Sequence, residues 1–228
     1  MKNFLYLVII ASVFIIGCKE DVMTFPELSK AKIRFINGIS SSENLRIDID
    51  SATLAQSLSR GQYTSLIEIA SGKALPWQVY DNSSKKLLFQ NFYTVGPNGQ
   101  YLIFMKGASV NTAGFLAPIP DTVSGPFGAG NAAMRFVHLA EKVQDDPALE
   151  ISLNGIAVTP FSIYSGDYTR LFPLKAGQFS LIIHDEGKPE TFRNALPFFT
   201  YKEGKVYTVY TYDIPGETQR IGAGIIEH

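Results

Sequence analysis

Imidazole is scarce in this chain: His138, His184 and His228 are the whole supply. No two of them stand at the i, i+4 spacing that would aim paired metal ligands from one helix face. His138 closes an apolar run and His184 lies inside another, so each reads as a strand residue rather than a general base or a ligand. Ser109, in Gly107-Ala108-Ser109-Val110-Asn111, lacks the second glycine of a nucleophile elbow, which argues against a serine hydrolase. Asp48, Asp50, Asp145 and Asp146 offer hard oxygens suited to calcium. The first two, however, alternate with apolar residues on the wet side of a strand pattern, and Asp145-Asp146-Pro147 reads as a loop with no EF-hand spacing. The glycines of Gly125 to Gly130 and of Gly222-Ala223-Gly224 do not lead from a strand into a helix, so no phosphate cradle is expected. The reading is a chain with no catalytic residues, no metal site and no cofactor.

Aromatic residues are the remaining candidates for recognition. They make up 12% of the chain, a share that suits half-buried strands. Trp77, Tyr80, Phe92 and Tyr93 in the first half, and Phe198, Phe199, Tyr201, Tyr207, Tyr210 and Tyr212 in the second, can serve either as a platform for sugar rings or a partner protein or as core. Position along the chain does not choose between these uses. The net charge of -1, without a basic stripe, gives no reason to expect nucleic acid.

Cys18 is the only cysteine, and its surroundings account for it. Lys2 gives a short positive start and Phe4 to Ile16 is almost unbroken apolar sequence. About 13 helical residues reach only about 20 Å, short of the roughly 30 Å hydrocarbon core, so the run predicts a signal segment rather than a span. Ile15-Ile16-Gly17-Cys18 resembles the bacterial lipobox, which implies cleavage between Gly17 and Cys18 and a diacylglycerol and fatty acyl chains on Cys18. The plainer alternative is an ordinary secretory signal or an N-terminal anchor with a chance cysteine. Lys19-Glu20-Asp21 resembles an export signal for display on the outer face of the outer membrane, against the alternative of a solvated tether. The expected location is therefore the outer membrane of a Gram-negative bacterium, lipid-anchored and more readily surface-exposed than periplasm-facing. A mature body without cysteine holds no disulfide and no thiolate site, so packing alone must stabilise it.

What positions these residues is a duplicated unit. Ala31-Lys32-Ile33-Arg34-Phe35-Ile36 returns as Ala132-Ala133-Met134-Arg135-Phe136-Val137, Leu45 to Asp50 as Leu149 to Asn154, Gly61-Gln62-Tyr63-Thr64 as Gly166-Asp167-Tyr168-Thr169, and Phe89-Gln90-Asn91 as Phe192-Arg193-Asn194. Matches in one order at a nearly constant offset indicate duplication of a folding unit. The chain divides into a signal peptide (1–17), a lipidated tether (18–30), a first repeat (31–120), a Gly/Pro linker (121–130) read as an exposed hinge between independent domains, and a second repeat (131–228). Leu45, Ile47 and Ile49 alternate with Arg46, Asp48 and Asp50, and Leu149, Ile151 and Leu153 repeat the pattern, which predicts strands with one core face. Asn154-Gly155 signals a tight hairpin turn, with Asp50-Ser51 in its place in the first copy. Pro160 in the second copy argues that Ala52 to Leu58 is a loop or edge strand rather than a helical turn. The predicted fold is all-β, two tandem immunoglobulin-like antiparallel sandwiches.

The strand starts Ile33-Arg34-Phe35-Ile36-Asn37 and Met134-Arg135-Phe136-Val137-His138, the Leu-x-Ile-x-Ile/Leu-Asp/Asn strand and the Gly-x-Tyr-Thr step resemble domain of unknown function 4397. The resemblance implies extracytoplasmic bacterial β-sandwich modules, often in tandem and often on lipoproteins, and it brings no catalytic residues. The Ser-Pro-Asp segment usual in that family is replaced by Gly38-Ile39-Ser40-Ser41-Ser42 and by Leu139-Ala140-Glu141-Lys142. The expected function is a non-enzymatic binding, adhesion or scaffolding module. The alternative is a carbohydrate-binding accessory lipoprotein of a nutrient-uptake system. Partners are the membrane, through the lipid, and an envelope protein or glycan.

Overall fold

The computed structural model describes residues 29–107, 112–116, 118–121, 127–141, 147–157 and 162–228. Gly17, Cys18, Lys19, Glu20, Asp21, Ser109, Asp145 and Asp146 therefore lie outside the described residues. Among those described there is no helix.

Nine strands precede the linker region: β1 (Lys30–Asn37), β2 (Asn44–Ile49), β3 (Ala52–Ser59), β4 (Ile67–Ala70), β5 (Leu75–Asp81), β6 (Leu87–Tyr93), β7 (Gln100–Lys106), β8 (Gly114–Phe115) and β9 (Ile119–Pro120). Eight follow it: β10 (Asn131–Val137), β11 (Leu149–Leu153), β12 (Ile156–Ala157), β13 (Phe172–Lys175), β14 (Gly177–Asp185), β15 (Lys188–Tyr201), β16 (Val206–Asp213) and β17 (Ile221–Glu227). They form four sheets. Sheet I has the order β4-β1-β7-β8, with β9 also on β7; sheet II is β3-β2-β5-β6; sheet III is β13-β10-β16-β17; sheet IV is β12-β11-β14-β15. The two halves thus share one strand order, and no sheet draws strands from both.

Alternation builds each sandwich. Leu45, Ile47 and Ile49 of β2, with Trp77 and Val79 of β5, face Ile33, Phe35 and Ile103 of sheet I in one core, where Trp77 lies 5.2–5.7 Å from the rings of Phe35, Tyr93 and Phe115. Leu149, Ile151, Leu181 and Ile183 face Met134, Phe136 and Val209 in the other. The strand faces are those the alternation predicts.

The all-β sandwich class is as expected. Within it, β3 stays beside β2, in the sheet opposite β1. The cause is the turn: Asp50 and Ser51 both have positive φ (48° and 68°), as do Asn154 and Gly155 (49° and 82°), the two-residue geometry that joins adjacent antiparallel strands. The sheets are not purely antiparallel. β1 runs parallel to β7 from Lys32↔Gln100 to Asn37↔Met105, and β10 parallel to β16 from Ala133↔Val206 to Val137↔Tyr210.

The two repeats are also in contact with each other. A third cluster joins Ile36, Leu102, Phe104 and Ile119 of sheet I to Val137, Leu139, Tyr210 and Ile226 of the second half, so sheets I and III pack through their outer faces and the layers run II, I, III, IV. Both faces of β7 and β16 are consequently buried, and Leu102, Ile103, Phe104 and Met105 are all fully covered. Asp121, placed in the linker by its neighbours, is buried and donates its backbone N–H to Gln100 O.

The contact is isologous. Matching β1/β7 to β10/β16 by register makes Phe104 the counterpart of Tyr210, and the β9 and β17 pairings make Asp121 the counterpart of His228. The Phe104 and Tyr210 rings meet at 6.0 Å, and Asp121 and His228 form an ion-pair contact. Each residue thus meets its own repeat mate across a pseudo-two-fold axis, the signature of a self-complementary interface. The Tyr210 hydroxyl crosses the seam to donate to Gly61 O at 2.7 Å.

Candidate functional site

The histidines are structural in their surroundings. His138 is fully buried at the end of β10, and burial, with Lys106 adding to it, pushes its imidazole down to about 3. Its Nδ1 lies 3.0 Å from Thr211 Oγ1, which also accepts the Leu139 N–H at 3.1 Å. Thr211 Oγ1 thus links the imidazole to the Leu139 backbone. His228 contacts Asp121 through Nδ1 and Thr208 Oγ1 through Nε2, the latter at 2.9 Å.

His184 makes the one arrangement with the look of chemistry. Its Nε2 is 2.6 Å from Ser152 Oγ, and its Nδ1 donates to Asp185 O at 2.9 Å. A carbonyl only accepts, so the proton sits on Nδ1 and Nε2 takes the serine hydroxyl, as in a nucleophile–base pair. Sequence reading missed Ser152, because the pairing comes from adjacent strands β11 and β14 and leaves no local motif. Ser152 is 3% exposed and His184 is 2% exposed, so no carbonyl substrate reaches the oxygen.

The carboxylates are engaged with cations. Asp48 takes Arg46 Nη2 at 3.2 Å and Asp50 takes Lys73 at 3.6 Å. Asp185 receives a two-pronged bond from Arg193, at 2.6 Å from Nε and 2.8 Å from Nη2, with both side chains nearly covered. Among the described residues no group of three metal-ligating side chains converges.

The aromatic residues divide by strand parity. Trp77 points into the first core and Tyr93 packs against it; Phe199, Tyr201 and Tyr207 belong to the second; Tyr210 and Tyr212 belong to the seam. Phe198 and Phe92 are left exposed, at 68% and 60%. Phe92 stands on the outer face of sheet II, beside the row Asp48, Gln78, Gln90 that crosses β2, β5 and β6 in register. The next row is Arg46, Tyr80, Leu87, with the Arg46 guanidinium 4.1 Å over the Tyr80 ring. Gln78 donates to Gln90 at 2.9 Å, which fixes both amides on the surface. One open aromatic ring, a half-buried guanidinium–tyrosine stack and an amide pair therefore share the outer face of this sheet. Stacking and hydrogen bonding are the contacts these groups can make. In sheet IV the corresponding row is Glu150, His184, Phe192, where the closed Ser152–His184 pair replaces the open polar groups.

Residues 31–145 match the family described as domain of unknown function (DUF4397), covering the first half, β10 and the stretch after it. No curated protein matches the chain. A family CBM26 module from Eubacterium rectale Amy13K, crystallised with maltoheptaose, is 9% identical, with 86% of this chain and 96% of that chain covered and a TM-score of 0.28. A leucine-rich repeat protein from Bacteroides thetaiotaomicron is 12% identical, with 78% and 25% covered and a TM-score of 0.19. Neither likeness carries an argument about ligand.

Proposed function

The chain belongs to the domain of unknown function 4397 family, and from that membership we propose that it is a non-catalytic binding module, anchored through lipid on Cys18 to the outer membrane of a Gram-negative bacterium and displayed at the surface. The observation that carries the binding role is the outer face of sheet II, where Phe92, the Arg46–Tyr80 stack and the Gln78–Gln90 pair stand together. The sealing of Ser152 and His184 supports a role without turnover. The Ile15-Ile16-Gly17-Cys18 junction and Lys19-Glu20-Asp21 support the anchor and its export. Several acyl chains, each contributing about 0.8 kcal/mol per buried methylene, hold a protein at a membrane far better than one.

The second reading, a carbohydrate-binding accessory of a nutrient-uptake system, is favoured by the exposed Phe92 ring beside fixed amides, since sugars combine an apolar ring face with a hydroxyl rim. Residues 21–228 are to be screened against glycans and envelope proteins, with Phe92→Ala and Tyr80→Ala beside the parent. Loss of the captured ligand in both variants is expected; full retention in both moves the site elsewhere. Fatty-acid labelling that persists in Cys18→Ala removes the anchor, and protection from protease on intact cells places the domains in the periplasm. Substrate turnover that Ser152→Ala abolishes without unfolding overturns the non-enzymatic reading.

A further inference from the structure

The seam between the two halves has two mouths related by its pseudo-two-fold, and they differ in how their arginines are used. Arg135 sits in one, Arg34 in the other, and the two are repeat mates. Arg135 spends its fork on Pro120 O, at 3.1 and 3.2 Å. The other sheltered arginines are spent likewise: Arg46 on Asp48, Arg60 on Ile39 O and Ser40 O, Arg193 on Asp185. Arg34 stands apart: its Nε is shielded and unpartnered, as are those of Arg46 and Arg135, but among the described residues its terminal nitrogens reach no oxygen either, and its contact is with the Tyr63 ring, 5.3 Å away. Arg34 is half-buried, so its terminal nitrogens stay open to an incoming acceptor while Nε is shielded.

The space for that acceptor is present. Arg34 borders a cleft of about 300 Å³ between the halves, shared with Gln100, Asp121, Glu227 and His228, a volume at the lower end of small-ligand sites. Of the two carboxylates of the cleft, Asp121 contacts His228 and Glu227 pairs with Lys202 at 3.0 Å and Lys205 at 3.6 Å. The Arg34 charge is thus left for a ligand. A planar fork matches a carboxylate with two parallel bonds, where a lysine would offer only a point charge. Around it, the Gln100 amide and the remaining carboxylate lone pairs suit hydroxyl groups.

We propose that this cleft is a binding site for a small hydroxylated carboxylate, a sugar acid, held by Arg34 through its carboxylate and by Gln100 and Glu227 through its hydroxyls. The site needs both halves of the chain, because Arg34 and Gln100 come from sheet I and Glu227 and His228 from the second half. The ligand reaches it as a free sugar acid or as the end residue of an acidic polysaccharide.

The test is calorimetric titration of the full chain in detergent with glucuronate, glucose and sulfate, alongside a chain of linked glucuronates. Glucuronate is expected to bind at least tenfold more tightly than glucose or sulfate. Arg34→Gln should weaken it tenfold or more and Arg34→Lys several-fold, while Arg220→Gln, an exposed arginine outside the cleft, leaves it unchanged; Trp77 fluorescence confirms that each variant is folded. Tighter binding of the linked chain than of the single sugar assigns the polysaccharide end as the source, and equal binding assigns the free sugar acid. No glucuronate binding, binding indifferent to Arg34→Gln, or equal binding of sulfate overturns the proposal.

Discussion

Truncating Phe104 to Ala tests whether the seam is a structural core or a casual contact. The side chain is fully buried, and its ring stacks on Tyr210 at 6.0 Å among Leu102, Ile119, Val137 and Ile226. A ring burying roughly 150 Å² at about 25 cal/mol per Å² accounts for about 4 kcal/mol, and Phe→Ala changes in packed cores cost about 3–5 kcal/mol. The loss here falls on both halves, since the cavity opens between them. Trp77 is the only tryptophan and is fully buried in the first half, so its fluorescence follows that half alone, while far-ultraviolet circular dichroism follows both. In the parent chain urea unfolding should give one transition by the two probes. In Phe104→Ala the transitions should separate and the Trp77 midpoint should fall by the equivalent of about 3 kcal/mol or more. Phe92→Ala, at a position 60% exposed, should stay within about 0.5 kcal/mol. A loss below about 1 kcal/mol at Phe104 would refute the view that the seam is core.

Acid should weaken the fold through His138. Its folded value is about 3 against 6.5 ordinarily, so the unfolded chain takes up a proton below pH 6.5 that the folded chain refuses. The stability is fully present above pH 6.5 and is lost as pH falls toward 3, on the order of 3 kcal/mol by pH 4; His138→Asn, which installs the residue found at Asn37, should flatten that part of the pH profile relative to the parent, and an unchanged slope contradicts the assignment. Asp185→Ala should cost about 3–5 kcal/mol in denaturant titration, because it strands the Arg193 guanidinium in a nearly covered site, whereas a loss under 1 kcal/mol would mean that water reaches the pair. A protease site inserted between residues 122 and 126 should, after cutting, yield two fragments that co-elute in gel filtration; separate elution would mean that the third cluster does not hold them.

Local pattern in the sequence was enough for the sandwich strands. The alternation of Leu45-Arg46-Ile47-Asp48-Ile49 and the Asp50-Ser51 and Asn154-Gly155 turns lead directly to β2–β3 and β11–β12, because hairpins are set by neighbours in the chain. Ala52 to Ser59 is an edge strand, one of the two forms its composition allowed. The seam was written less plainly. Leu102-Ile103-Phe104-Met105 is a continuous apolar run, the mark of a strand covered on both faces, yet such a run names no partner for its second face. The parallel β1–β7 ladder depends on residues some 68 positions apart in register and has no local signature at all. The same holds for the sites: strand parity separates Phe92 from Trp77 once β5 and β6 are paired, but the isolation of Arg34 appears only when its repeat mate is seen bound to Pro120 O.

The parallel pairing of β1 with β7 also determines how the first half bears mechanical load. A chain held at its start is pulled at Lys30, the leading end of β1, and once β8 and β9 have peeled from β7 the load on the rest of the molecule leaves β7 at Lys106, the opposite end of the ladder. Tension then runs along the strands, and the evenly spaced bonds between Lys32↔Gln100 and Asn37↔Met105 are strained together in shear rather than opened one at a time as in a zipper. Resistance to such pulling is governed by the unfolding rate rather than by equilibrium stability. Under such a pull the β1–β7 ladder must therefore break as a unit, which makes it the mechanical clamp of this half.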